Sequence, residues 1–233
     1  MAVLITGATA LLEGIDLSDY FTSDQIVITT EKLPSMPFVQ KKGTSVQYAQ
    51  VKADAPDINK LYDIYDFTDV IFLSSLLNPL SLGGSSYADL FRTLDAAEHA
   101  KVERIFVIFP DIDKLERKNT SRMHAMEMMR DVLRFFAEQY SLKVHIIYSP
   151  YLVNQEERNG FLRRLPHTAT PSLPWDENMD IPFLPVQSFI EELRNQLEDD
   201  VKEIESTLSP LFSVTFQNGF EKDSHFLSFE KRA

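Results

Sequence analysis

Short continuous apolar runs alternate with longer stretches in which apolar residues recur at helical spacing. Val3-Leu4-Ile5 runs into Thr6-Gly7 and predicts a buried strand entering a tight turn, with a short helix around Leu11–Phe21. Gln25–Thr30 is β-branched and predicts a second strand. Asp57–Asp66 places Ile58, Leu61, Ile64 and Tyr65 at helical spacing, and Asp69–Leu73 is again a buried strand. Tyr87–Ala100 is amphipathic through Leu90, Phe91, Leu94 and Ala97, and leads into the strand Ile105–Phe109. Arg122–Tyr140 predicts a long helix with Met126, Met129, Val132, Leu133 and Phe136 inward, followed by the strand Val144–Tyr148.

Beyond this point the pattern weakens. Pro166–Pro185 is proline-rich and reads as irregular, and Gln187–Glu205 reads as a helix. Phe212–Phe216 reads as a late strand, and the polar tail from Glu221 as loose. Strands alternating with helices imply right-handed crossovers. The expected fold is therefore α/β: a Rossmann-like, doubly wound parallel sheet with helices on both faces and a small C-terminal extension. The expected division is 1–155 for the Rossmann-like part and 156–233 for a small part packed on it.

Composition narrows the classes of function. Apolar residues are 44% and charged residues 25% of 233, enough for an ordinary core. The net charge of −12 repels phosphate backbones and anionic lipid, so neither nucleic acid nor a membrane is the expected partner. No run approaches the roughly 18 apolar residues of a membrane span, and the N-terminus lacks the charged start of a signal peptide. A cytoplasmic location is the expectation. With no cysteine there is no thiol nucleophile, disulfide or thiolate metal site. Glycine is scarce, 7 residues in the whole chain, where roughly 7% is usual.

The order of several segments resembles the extended short-chain dehydrogenase/reductase family, which includes nucleotide-sugar epimerases, dehydratases and NmrA-like relatives. Val3–Thr9 resembles that family's opening strand and turn, and Asp54-Ala55-Pro56-Asp57, Leu61 and Asp69-Val70-Ile71 its D-x-x-D … L … D-V-V stretch. Leu94-Asp95-Ala96-Ala97 with Val102–Val107 resembles L-L-E-A-A … G-V-K-R-F-V. Gln139–Leu142 leading to Ser149-Pro150 resembles Y-G-L … R-P, and Ile181-Pro182-Phe183 with Val186-Gln187-Ser188 the late V-D-D helix start. The likeness covers roughly residues 1–155, with a fainter echo to about 218.

The resemblance implies a cofactor site at Gly7, Ala10, Glu31, Asp54, Leu73 and Ser74. Its phosphate turn, G-x-x-G-x-x-G, lets main-chain N–H groups approach a pyrophosphate. Here the register gives Gly7, Ala10 and Glu13, adding a Cβ and a carboxylate where an anion would sit. As a plain turn, the same residues form a strand–helix connection with Glu13 capping its own helix. Glu31 falls where the family binds the adenosine ribose, and Asp54 beside the adenine. Each also reads as an ordinary loop or cap residue. Lys32 suits a 2′-phosphate, so NAD against NADP is open. The expectation is no NAD(P), or weak binding.

The family's catalytic Tyr-x-x-x-Lys falls near Arg122 and Met126, and its serine position on Phe109-Pro110. No tyrosine lies between Tyr87 and Tyr140, so sliding the register restores no pair. No catalytic residue is assigned.

Other features read as structural. His99, His124, His145, His167 and His225 have no metal-binding spacing, and Asp111-Ile112-Asp113 reads as a solvated loop. Arg158, Arg163, Arg164 and His167 form the basic local stretch. Met123, Met126, Met128 and Met129 make a soft apolar stripe, wider than one sheet face requires. That width predicts a homodimer, or a complex with a related subunit, through helices 87–100 and 122–140.

The leading expectation is thus a non-catalytic pseudoenzyme of this fold that acts by ligand or protein binding, as a regulatory or partner subunit. The alternative is an atypical NAD(P)-dependent epimerase or reductase acting on a nucleotide sugar or a small carbonyl compound.

Overall fold

The computed structural model describes residues 2–12, 15, 17, 25–30, 45–51, 58–78, 86–110, 120–140, 142–153, 180–198, 205–210, 212–217 and 226–231. The strands are β1 (Ala2–Gly7), β2 (Gln25–Thr30), β3 (Ser45–Gln50), β4 (Phe67–Leu73), β5 (Arg104–Pro110) and β6 (Lys143–Ser149). They continue with β7 (Tyr151–Val153), β8 (Asp180–Pro185), β9 (Glu205–Thr207), β10 (Phe212–Gln217) and β11 (Phe226–Lys231). The helices are α1 (Ile58–Ile64), α2 (Ser86–His99), α3 (Thr120–Gln139) and α4 (Val186–Glu198).

A seven-stranded sheet has the order β3-β2-β1-β4-β5-β6-β9. Every neighbouring pair in it is parallel. This is the doubly wound α/β fold that the alternation of elements predicts. Buried parallel strands are apolar on both faces, and β1, β4 and β5 divide their side chains accordingly. Leu4, Val70, Phe72, Ile105 and Val107 join Leu90, Leu94 and Ala97 of α2 and Met126, Met129, Leu133 and Phe136 of α3. Val3, Ile5, Ile71, Leu73, Phe106 and Ile108 join Phe189, Ile190 and Leu193 of α4. A fully buried leucine such as Leu90 or Leu94 contributes roughly 1.5–3 kcal/mol.

Helix ends follow local chemistry. Asp89 lies in the first turn of α2 and His99 in its last, each complementing the helix dipole. The helix closes with Lys101 N–H donating to Glu98 O and Val102 N–H to Ala97 O, and Lys101 takes φ +59°. That left-handed position usually goes to glycine.

A second sheet has the order β11-β10-β8-β7. β10 is antiparallel to both β8 and β11, and β7 is parallel to β8. Several expectations change here. Residues 180–185, expected to be irregular, form β8. Pro182 lies outside the β7 ladder, which covers Phe183–Pro185, and is registered with Ser213 of β10. The tail expected to be loose forms β11, since Phe226–Lys231 completes a hairpin with β10. The helix expected to reach Glu205 ends at Glu198, and Glu205 begins β9. Strand β3 escapes the sequence reading. Of the helix expected at Leu11–Phe21, Leu11 and Leu12 belong to a single 3-10 turn, Thr9–Leu12. Most of the rest of that span lies outside the described residues. No described helix is long and apolar enough to cross a membrane.

Candidate functional site

In an open parallel sheet, ligands bind beyond the carboxyl ends of the strands, at the point where strand order reverses. Here that point lies between β1 and β4. Gly7 ends β1 with φ +89°, and a Cβ placed on it would lie 2.2 Å from the carbonyl oxygen of Leu73. The next residue, Ala8, donates its N–H to that same oxygen at 2.7 Å. Only glycine lets the two strand ends approach so closely. Gly7 and Leu73, both expected at a cofactor site, therefore meet, and their contact joins β1 to β4.

A second clamp joins β1 to β2. The Thr9 hydroxyl donates to Thr29 O at 2.5 Å, and the Thr29 hydroxyl donates to Thr6 Oγ1 at 2.9 Å. All three threonines are buried. Ala10 sits exposed on the 3-10 turn. Ser74 is fully buried, and its N–H donates to Ile108 O of β5 at 3.1 Å. The Ser74 hydroxyl accepts from Leu76 N–H and caps a 3-10 turn, Ser75–Leu77. Glu31 and Asp54 lie outside the described residues, as do Glu13, Asp111, Asp113, Arg158, Arg163, Arg164 and His167.

Arg122 brings in the third clamp. It stands near the start of α3 with 1% of its surface exposed. One terminal nitrogen donates to Leu76 O at 2.7 Å and the other to Asn78 O at 3.2 Å. The guanidinium carbon lies 6.0 Å from the centre of the Tyr151 ring. The carbonyls at the end of a short helical turn lack donors of their own, and this arginine supplies them. Met126, one turn further on, is buried among α2, α3 and the sheet. Phe109 and Pro110 are buried at the end of β5.

Two groups that the sequence reading passed over are buried polar ones. Asp69 and Arg104 form an ion pair at 2.7 Å across β4 and β5, with Thr68 donating to the second Asp69 oxygen at 3.0 Å. An aspartate inside an apolar strand was the available signal. Tyr62 has a buried hydroxyl with no hydrogen-bond partner among the described residues, and burial pushes its phenol pKa well above the usual value.

Among the described residues no group of three or more acidic or histidine side chains could hold a metal ion. His145 stacks on Phe106 with ring centres 5.0 Å apart. An open groove of about 370 Å³ runs along the flank of α3 and includes Arg130, Leu133, Tyr148 and Glu205 in its walls. It lies beside β6 and β9 rather than over the β1–β4 reversal.

The α2–α3 surface is different in kind. Phe91 and Phe135 remain 42% and 48% exposed, and Tyr87 and Tyr140 are exposed beside them. Phe91, Phe135 and Tyr140 ring the buried Phe136 at centre distances of 5.5, 5.6 and 5.1 Å.

No protein-family model matches the chain, and a search of curated proteins finds no match. Solved structures do share its fold. The enzyme WbmG of Bordetella bronchiseptica, in complex with NAD and UDP, superposes with a TM-score of 0.59 at 14% identity over 89% of this chain and 72% of that one. UDP-glucose 4-epimerase of Thermotoga maritima, with UDP-glucose, gives 0.62 at 12% identity, over 89% and 76%. The oxidoreductase YlbE of Lactococcus lactis gives 0.55 at 15%, over 89% and 90%.

Proposed function

We propose that this chain is a dehydrogenase-fold protein that acts by binding, as a regulatory or partner subunit, without hydride transfer. The observation that carries the reading is the commitment of Arg122 and Met126, on which the resemblance puts the catalytic tyrosine and lysine. Arg122 is buried in bonds to main-chain carbonyls, and Met126 is packed in the core. General acid–base catalysis needs a group that exchanges a proton within hydrogen-bond reach of the substrate. A guanidinium keeps its proton at any working pH, and a thioether has none to give.

Weak or absent NAD(P) binding belongs to the same reading. The turn after β1 is already bonded to β4 and β2 through Ala8 and Thr9. A short 3-10 turn also lacks the aligned dipoles of a long helix. The partner is a second copy or a related subunit, seated on the aromatic face of α2 and α3, and a cytoplasmic location suits the acidic chain. Large solvated aromatic clusters mark interaction surfaces.

The test is direct. Purified protein incubated with NAD or NADP and UDP-glucose is expected to give no turnover. Light scattering is expected to give a mass above that of one chain. Turnover abolished by Tyr148→Phe would overturn the reading in favour of an atypical NAD(P)-dependent epimerase or reductase. That second reading draws on the solved structures of like fold that contain NAD, UDP or UDP-glucose.

A further inference from the structure

The groove along α3 forms where two periodicities meet. Arg130, Leu133, Arg134 and Ala137 follow the i, i+3, i+4, i+7 spacing of one helix face. Val144, Ile146 and Tyr148 follow the i, i+2, i+4 spacing of one strand face. These strand residues pack on the α3 side of the sheet, whereas Ile147 packs on the α4 side. β9 follows α4 in the chain, and its Glu205, in register with Ile146, completes the lining. The space is about 370 Å³, within the range of small-molecule sites. Seven residues of helix and four of strand give it a length of roughly 10–13 Å.

Polarity is sorted by depth. Leu133 and Val144 are buried, and Ile146 and Tyr148 are half-buried beside them. Arg130 lies over the Tyr148 ring, 5.9 Å from its centre. Arg134 is 74% exposed, and its ion pair with Asp131 at 3.4 Å joins two equally exposed side chains. Such a pair holds weakly in water and yields to a better-placed anion. Two arginines against one glutamate give the lining a positive excess, in a chain whose net charge is −12.

We propose that this groove binds a small organic anion with an elongated apolar body, such as a medium-chain carboxylate. The apolar body covers Leu133, Val144 and Ile146 and removes their remaining surface from water. The carboxylate lies at the helix wall, where the Arg134 guanidinium offers it two parallel donors. Arg130 adds positive potential from its place over Tyr148. Glu205 on the strand wall repels the same carboxylate and so fixes the side on which it lies. The groove is apart from the β1–β4 reversal and on another face of α3 than Phe135, so this site goes beyond the proposed subunit role.

Amide shift mapping by NMR on the full chain tests it, with octanoate as the probe. Octanoate is expected to shift Leu133, Ala137, Val144 and Ile146 saturably and to leave Tyr87 and Phe91 unmoved. Octylammonium, with the same chain and the opposite charge, is expected to bind at least about tenfold more weakly. Arg134→Gln is expected to weaken octanoate about fivefold and Glu205→Gln to strengthen it about twofold, the effect of one partly solvated charge. Both side chains are exposed, so both variants are expected to keep the wild-type melting temperature. Ala137→Phe fills the groove from an exposed position and is expected to abolish the shifts. No saturable shift at these residues below about 10 mM octanoate, equal binding of octylammonium, or unchanged affinity in Arg134→Gln would overturn the proposal. Equal shifts at Tyr87 and Phe91 would also overturn it, as indiscriminate contact with exposed apolar surface. Shifts at Leu133 and Val144 that change on dilution of the protein alone would put a second copy of the chain in the groove instead. No nucleotide enters the experiment, so its outcome stands whether or not turnover is later found.

Discussion

The carboxyl ends of β1 and β4 and the outer face of α2 and α3 have opposite characters. At the strand ends, polar groups are paired with their own chain: Ala8 with Leu73, Thr9 with Thr29, and Arg122 with Leu76 and Asn78. On the helix face, large apolar rings stand in solvent, with Phe135 nearly half exposed. In a fold whose strand ends commonly receive ligands, the described polar groups at that end are paired within the chain, and the exposed apolar surface among the described residues lies elsewhere. A change at the strand ends should therefore be felt as lost stability, and a change on the helix face as lost association.

The largest effect is expected at Gly7. Gly7→Ala forces a Cβ against Leu73 O in a backbone conformation that L-residues disfavour. The expected cost is about 3 kcal/mol or more by urea denaturation. A cost under roughly 1 kcal/mol would mean that the two strand ends are not tightly joined.

A smaller effect is expected on α1, where Tyr62 packs edge-on against Phe67. Tyr62→Phe removes a buried hydroxyl without a partner among the described residues, for an expected gain of about 1 kcal/mol. Burial raises the folded-state pKa of this phenol above its unfolded value. Its ionisation costs the fold nothing below about pH 10 and weakens it as pH rises further. The wild type should weaken above that pH more steeply than Tyr62→Phe, which parallel denaturation series at neutral and alkaline pH would measure.

The smallest effect on stability is expected at Phe135. Phe135→Glu should change the stability of the isolated chain by less than about 0.5 kcal/mol, while lowering the mass seen by light scattering. A stable monomer in both wild type and variant would erase the difference between the two regions.

The strands buried on both faces were legible because nothing but apolar residues suits them. Val70–Leu73 and Ile105–Phe109 announce themselves without a structure. Strands β3 and β9 did not, for different reasons. β3 is half-buried and mixes Val46 and Tyr48 with polar neighbours, and β9 has only the residues Glu205–Thr207. Proline concealed β8. At the candidate site, Gly7 was readable from its place after an apolar run. The task of Arg122 was not, since it bonds main-chain carbonyls 46 and 44 residues earlier in the chain. A carbonyl is common to every residue type, so its partner leaves no mark in local sequence.

The pairing of β9 with β6 has a consequence for the order in which the molecule is made. Ile146 of β6 meets Glu205 of β9, and the chain between them contributes β7, β8 and α4. During synthesis β6 therefore leaves the ribosome well before the strand that flanks it. Until Thr207 follows, the growing chain carries a sheet edge with unmet main-chain donors and acceptors, the kind of edge that recruits strands from other molecules. Chains broken off between Val153 and Glu205 should collect in aggregates, while the finished chain protects itself with its own late strand.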